Sequence, residues 1–229
     1  NGLVGSEMCI RDRLYASGMD VDHTVESFVT DLKPSWFFKN MRHGGYWYLL
    51  YKYRRGQFDP MLRKYLSDLR LEQLPIPVNT ITVDLVSGEP LVRDCGDAVD
   101  GILESINLPG LSVPICRNGQ ALVDGGLVNN VPANVLVEKG CNFVIAVSVT
   151  ATLEPEFANI RLGSGQKKYK SPSVMQTLMR GYLVQNVNMN SVGVQPADEL
   201  IDIDVTDFDL SEFTRTDELA AVGVQTAEA

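Results

Sequence analysis

The chain has 229 residues, 45% of them apolar and 21% charged, enough apolar chain to bury a sizeable core as one globular domain, which excludes disorder and coiled coil. Its 20 basic against 29 acidic residues give a net charge of -9, an argument against a nucleic-acid partner. The acidity gathers at the end, where residues 195–229 carry one basic and ten acidic groups.

The longest apolar runs, such as Phe143 to Val149, fall far short of the ~18 residues of a membrane-spanning helix, and no basic-then-apolar leader opens the chain. The first residue is Asn1 rather than Met, so targeting stays open and the expected setting is cytoplasmic or a peripheral membrane. Cys9, Cys95, Cys116 and Cys141 lie far apart with no C-x-x-C pair; they fit neither a zinc site nor a disulfide framework and read as buried thiols of a reducing compartment. No metal and no cofactor is expected.

In chain order, the first marked segment is Lys33 to Arg55, with both tryptophans, eight of the eighteen aromatic residues, six basic residues and no acidic one. Two readings fit. The aromatics pack in the core and the bases are solvated, or the segment docks on anionic lipid with Trp36, Phe37, Phe38 and Trp47 inserting. Val78 to Val86 alternates and is β-branched, the pattern of a strand, and a short partner is expected at Pro90 to Val92. Gly96 to Asn107 places Ala98, Ile102 and Ile106 at helical spacing, and Leu108-Pro109-Gly110 stops the helix.

Ala121-Leu122-Val123 is a short strand running into Asp124-Gly125-Gly126; a helix follows near Val131, with Pro132 in its first turn and Gly140 at its end. Phe143 to Thr150 is almost continuously apolar, as in a strand covered on both faces of a parallel sheet. The middle of the chain thus reads β-α-β with a right-handed crossover. A long helix is expected from Ser171-Pro172 with Val174, Leu178, Tyr182 and Leu183 on one stripe. A strand over Leu200 to Val205 and a helix over Asp217 to Ala227 complete an α/β chain with helices flanking a mainly parallel sheet.

Asp124 is the candidate for chemistry, because a carboxylate at the end of a sheet strand sits where open α/β sheets hold their ligands, and the two glycines after it let backbone approach a substrate. A plain Asp-Gly turn is the competing reading. The order of residues excludes one mechanism: a hydrolase with Ser, Asp and His in that order needs a histidine after the aspartate, and His23 and His43 both precede Asp124. His23 reads as an exposed helix residue and His43 as part of a loop. There is no G-x-G-x-x-G and no phosphate-binding P-loop signature, so a nucleotide-binding domain is disfavoured.

Ala121 to Pro132, A-L-V-D-G-G-L-V-N-N-V-P, resembles the second catalytic motif of patatin-like phospholipases. Thr82-Val83-Asp84-Leu85, then Glu104 to Gly110, and after the motif Phe143 to Val149 and Ala197 to Ala227, are similar to further segments of that family in the same order. Two departures stand out: Val83-Asp84 replaces Thr-Asp, and Ser105-Ile106-Asn107 is more polar than the family pattern.

The resemblance implies a three-layer α/β/α fold and a lipid or phospholipid substrate. It also implies a Ser-Asp dyad in which Asp124 is the general base and Gly125 and Gly126 supply motif backbone. The nucleophile is absent from the chain. Ser191, in Met189-Asn190-Ser191-Val192-Gly193, and Ser164, in Gly163-Ser164-Gly165, do not form G-x-S-x-G. Leu14-Tyr15-Ala16-Ser17-Gly18 is similar to the segment that follows the family's serine helix, which places the expected serine one or two residues before Asn1 and the glycine-rich oxyanion loop earlier still.

Between Gly5 and Leu14, Ser6 to Arg13 interrupts an apolar helix entered by Leu3-Val4-Gly5. The block is similar to a translated sequencing-adapter remnant, the other reading being a solvated surface turn. Residues 1–13 are therefore set aside, and residues 14–229 are taken as an incomplete patatin-like domain. The expected function is lipid acyl-ester hydrolysis; the alternative is a non-catalytic membrane- or partner-binding module on the same fold.

Overall fold

The computed structural model describes residues 2–5, 9–31, 35–39, 44–54, 56–149, 153, 156–158, 160–161, 163, 165, 171–208 and 215–228, and among these the side chains of all but 9–12, 27–29, 36, 39, 44–46, 54, 175, 191 and 216–217. His43, Thr150 and Ser164 lie outside them.

Strand β1 (Leu3–Gly5) lies parallel to β2 (Val78–Asp84), with Leu3 opposite Val78 and Gly5 opposite Thr80. This corrects the expectation that Leu3 to Gly5 enters a helix: the Leu3 N–H donates to Pro77 O at 2.8 Å, and Asn79 Nδ2 donates to Leu3 O at 3.3 Å, so sheet partners claim this backbone. Helix α1 (Cys9–Ala16) follows. Residues 9–13 are therefore helical rather than a solvated turn, and Arg13 and Leu14 are buried.

Helices α2 (Val21–Asp31), α3 (Trp36–Lys39), α4 (Gly44–Arg54) and α5 (Phe58–Leu66) precede the sheet. Phe58, Leu62 and Leu66 recur at four-residue spacing, one stripe of a helix, and pack with Leu14 of α1 and with Val99, Ile102 and Ile106 into one core. Val99 and Ile102 belong to α6 (Ala98–Ser105), whose first turn is capped by Asp97, its side chain accepting from the Asp100 N–H at 2.8 Å.

The expected strand over Val78 to Val86 ends at Asp84; Leu85 and Val86 are exposed in the turn to β3 (Pro90–Arg93). All seven residues of β2 are buried, polar Asn79, Thr80, Thr82 and Asp84 included. β2 pairs antiparallel with β3 and also with β5 (Gln120–Asp124), which is itself antiparallel to β4 (Ile115–Arg117). The sheet is thus mixed, with helices flanking it.

Beyond β5 come α7 (Ala133–Glu138), β6 (Ile145–Ser148), a short hairpin of β7 (Glu156–Phe157) and β8 (Ile160–Arg161), α8 (Val174–Gly193), β9 (Glu199–Asp202) and α9 (Thr216–Ala227). β6 pairs parallel with β9, not with β5, so the crossover through α7 joins two ladders. The expectation that the Phe143 to Thr150 strand is covered on both faces is not met. Val144, Ala146 and Ser148 are buried, whereas Phe143, Ile145 and Val147 are exposed, because β6 packs through one face only.

The thiols also differ from expectation. Cys95 and Cys116 are free and exposed and Cys141 is half-buried, since they sit in a turn, on the short strand β4 and beside the Gly140 turn rather than on core faces.

Buried polar groups tie these pieces together. Glu104 of α6 is fully buried between Arg93 of β3 (2.6 Å) and Arg117 of β4 (3.3 Å); burial pushes its carboxyl upward against the pull of the two guanidinium groups. Asp84 joins the end of β2 to β5: Oδ1 accepts from the N–H groups of Ala121 (2.9 Å) and Val86 (3.0 Å), and Oδ2 from Ser87 Oγ (3.0 Å). The Ala121 and Val86 N–H groups hold its carboxyl below the usual carboxylate value.

A depressed carboxylate stabilises the fold fully above its unfolded value and loses that contribution as pH falls through the folded one. Urea unfolding of the wild type and Asp84→Ala should therefore show the largest gap near neutral pH, narrowing below about pH 4. A gap that is constant with pH would refute this role for the carboxylate.

Candidate active site

Asp124 closes β5 in register with Thr82 of β2. Its backbone N–H donates to Asn107 O at 3.1 Å. Asn107 also grips the strand itself, since its Nδ2 donates to Leu122 O at 3.1 Å and to Val113 O at 3.0 Å. Ser105 Oγ donates to Ile81 O at 2.7 Å. The unusual polarity of Ser105-Ile106-Asn107 therefore has a structural cause: both polar side chains are buried and satisfied, and they bind the end of α6 to the two strands that carry the site.

The Asp124 side chain is 1% exposed. Its Oδ1 accepts from the Gly126 N–H at 2.7 Å, capping a single 3-10 turn over Gly125–Leu127. The two glycines serve different ends. A β-carbon on Gly125 would lie 2.4 Å from Ile81 O and 2.7 Å from Ile81 C, inside the backbone of β2. The atoms nearest a β-carbon on Gly126 would be side-chain oxygens, those of Asn130 at 3.1 Å and of Asp124 and Tyr182 at 3.2 Å. Gly125 thus answers to the sheet behind it, and Gly126 to the site in front.

Asn129 and Asn130 do not cap the Pro132 helix. Pro132 occupies the cap position without a side-chain cap, while Asn129 Nδ2 donates to Asn134 Oδ1 and Asn130 Nδ2 to Asn190 Oδ1, both at 2.8 Å. Helix α8 also runs against expectation. Its N-terminus is fixed by a capping box between Ser173 and Gln176, but Val174 and Leu178 of the expected apolar stripe are exposed. The helix packs on the Asp124 turn instead, with Tyr182 beside Gly126, Gln185 Nε2 donating to Leu127 O, and Asn190 accepting from Asn130.

Tyr182, Gln185 and Asn190 were not recognised as site residues from sequence. A signal was present: residues 174–193 hold a single charge, Arg180, yet five amides, Gln176, Gln185, Asn186, Asn188 and Asn190, a nearly uncharged polar helix that solvent alone does not explain.

The aromatic-basic segment divides between its two readings. Tyr48 is buried, and Tyr53 stacks on Phe58 at 4.9 Å while its hydroxyl donates to Ile106 O at 2.7 Å, so these two belong to the core. Phe37 (61%), Trp47 (47%) and Tyr51 (45%) are exposed, and half-buried Phe38 links the helices, with ring centroids 5.4 Å from Phe37 and from Tyr48. The Trp36 side chain lies outside the described residues. His23 is exposed on α2, 3.9 Å from Glu26. Among the described residues no cluster of His, Cys, Asp and Glu could hold a metal, and no helix is long and apolar enough to cross a membrane.

Residues 13–137 match the family model described as patatin-like phospholipase, a span that holds Asp124 and every strand of the five-stranded sheet but β1. Among curated proteins, the chain is 32% identical over 102 residues to an uncharacterized NTE family protein of Mycobacterium tuberculosis, covering 44% of this chain and 18% of that protein. It is 30% identical over 105 residues to neuropathy target esterase sws of Drosophila melanogaster (45% and 7%). It is 31% identical over 104 residues to patatin-like phospholipase domain-containing protein 7 of Mus musculus (44% and 8%). The chain therefore aligns with less than a fifth of the length of these relatives.

Substituting the two glycines separates their roles. Gly125→Ala drives a methyl into the β2 backbone and should cost about 1–3 kcal/mol or more of stability, whereas Gly126→Ala meets side chains that can shift and should cost less. Equal unfolding midpoints for the two variants would contradict the packing described.

Proposed function

Because the chain belongs to the patatin-like phospholipase family, whose members hydrolyse lipids, we propose that it is part of a lipid acyl-ester hydrolase in which Asp124 is the general base. The observation that carries this is the placing of Asp124: a carboxylate excluded from solvent, fixed through its backbone N–H by Asn107 and through Oδ1 by Gly126, at the end of a sheet strand where α/β folds hold ligands. His23 and His43 both precede it, which disfavours a triad in the order Ser, Asp, His, and in this reading the carboxylate itself takes the proton.

In this mechanism a serine hydroxyl attacks the acyl carbonyl while Asp124 accepts its proton and passes it to the leaving alkoxide, which departs as the alcohol to give an acyl-enzyme and the free carboxylate. Water, deprotonated by the same carboxylate, then releases the fatty acid and restores the serine. No serine of residues 1–229 stands in G-x-S-x-G. We assign the nucleophile to the position just before Asn1, with residues 14–229 an incomplete domain of the family. Residues 1–229 alone should then show no turnover.

The lipid-facing surface is assigned to α3 and α4. Phe37 and Trp47 stand exposed with Tyr51, beside Phe38, in a segment whose six charges are all basic; aromatic rings with Lys and Arg match the interface of an anionic bilayer. Trp36 is included on its place in sequence. This surface also favours a second reading, a non-catalytic membrane-binding module, which catalysis by the extended protein would exclude.

Two experiments test these assignments. In the open reading frame extended upstream through a serine-bearing segment, Asp124→Asn should lower turnover of a phospholipid or short acyl ester by about 10²–10⁴-fold with the thermal midpoint retained. Unchanged turnover would remove Asp124 from the base role. In liposome flotation, residues 1–229 should rise with vesicles containing anionic lipid and less with neutral ones, and Phe37→Ser with Trp47→Ser should abolish the difference. Equal recovery with both vesicle types would end the lipid-surface assignment.

A further inference from the structure

Four consecutive residues at the end of α6 each take hold of a different part of the fold. Glu104 forms ion pairs with Arg93 of β3 (2.6 Å) and Arg117 of β4 (3.3 Å). Ser105 Oγ donates to Ile81 O of β2 at 2.7 Å. The Ile106 carbonyl accepts from the Tyr53 hydroxyl of α4 at 2.7 Å, and Asn107 Nδ2 donates to Leu122 O of β5 at 3.1 Å. The Asn107 carbonyl also accepts from the N–H of Asp124 itself at 3.1 Å, while the Asn107 N–H donates back to Glu104 O at 3.4 Å.

We infer that Glu104 is a positioning residue for Asp124, acting through this turn: its two ion pairs set the end of α6 where Asn107 meets both Leu122 O and the Asp124 N–H. The inference rests on the assignment of Asp124 as base. Among the four anchors Glu104 alone is charged, and it is fully buried. Its arginines come from the two strands that flank the β2–β5 pair, since β3 pairs with β2 and β4 with β5. The carboxylate therefore spans the strands between which Asp124 is held.

Apolar side chains of similar volume fill such a place as well as a buried ion pair, and often add stability, but they impose less direction. Here direction is what the turn requires. The route from Glu104 to Asp124 is two backbone hydrogen bonds long, from Glu104 O to the Asn107 N–H and from Asn107 O to the Asp124 N–H. Such bonds weaken steeply with misalignment, so a small displacement of the turn reaches the aspartate. Asp100, the other acidic partner of Arg117 at 2.8 Å, lies one turn earlier on α6 and faces Arg63 of α5 at 3.8 Å, so it ties the helix to α5 as well.

The test uses the extended, serine-bearing protein and compares four forms: wild type, Asp124→Asn, Glu104→Gln and the triple variant Glu104→Leu with Arg93→Met and Arg117→Met. Glu104→Gln keeps the shape and removes the charge; its kcat should fall about tenfold with KM within about twofold. The triple variant replaces the ion pairs by apolar packing, which is neutral or stabilising at other buried charge clusters. It should regain the wild-type melting midpoint while kcat stays about tenfold low. In residues 1–229, amide hydrogen exchange at Asp124 should be about tenfold faster in both variants, with exchange at Leu62 of α5 unchanged.

If Glu104→Gln keeps wild-type kcat while Asp124→Asn is dead, the inference fails and the base assignment stands. If the triple variant regains kcat together with its melting midpoint, packing alone suffices and the inference fails again. If kcat falls but exchange at Asp124 is unchanged, Glu104 does not act through the aspartate, and the inference is overturned. If Asp124→Asn is fully active, both assignments fail together.

Discussion

The Asp124 turn is built on a contact that tolerates no side chain. At Gly125 the chain leaves β5 pressed against the carbonyl of Ile81, with 2.4 Å between that oxygen and the place a β-carbon would take. Only glycine permits it. Because β5 must reverse direction there, Asp124 stands at the last position in register with β2, opposite Thr82, and the next peptide turns back so that the Gly126 N–H reaches Asp124 Oδ1.

What keeps those strands close is polar. Asp84 accepts from the first residues of β5, Asn107 clamps its later ones, and Ser105 binds α6 to Ile81, the residue Gly125 presses upon. Each is buried and each is satisfied. Buried hydrogen bonds of this kind fix one geometry where an apolar interface would allow several. Of the segments in which the sequence departs from the family pattern, Ser105-Ile106-Asn107 is thus part of this clamp.

Much of the arrangement was legible in the residues, for identifiable reasons. β2, β5, α6 and α9 were readable because β-branched alternation and helical spacing are local signals, and Pro109-Gly110 and Gly140 marked ends that the structure keeps. Strand direction was not readable: the antiparallel pairing of β5 with β2 and the pairing of β6 with β9 depend on partners distant in sequence. The apolar run from Phe143 gave no hint that Ile145 and Val147 would face outward. Asp124 was found through its motif. Tyr182 was missed because it was counted in an apolar stripe, although it lies beside Gly126.

The proposed hydrolysis rests on the family relation and on the placing of Asp124, which lies within the matched residues. The family match covers residues 13–137, and the polar helix over Gly126 comes later in the chain. The most direct measurement is a crystal structure of the serine-bearing protein inactivated by a phosphonate ester, which labels an activated serine covalently. The account predicts a single labelled serine whose Oγ lies within hydrogen-bond reach of the Asp124 carboxylate, about 2.6–3.2 Å. A labelled serine paired with another group and remote from Asp124 would contradict it.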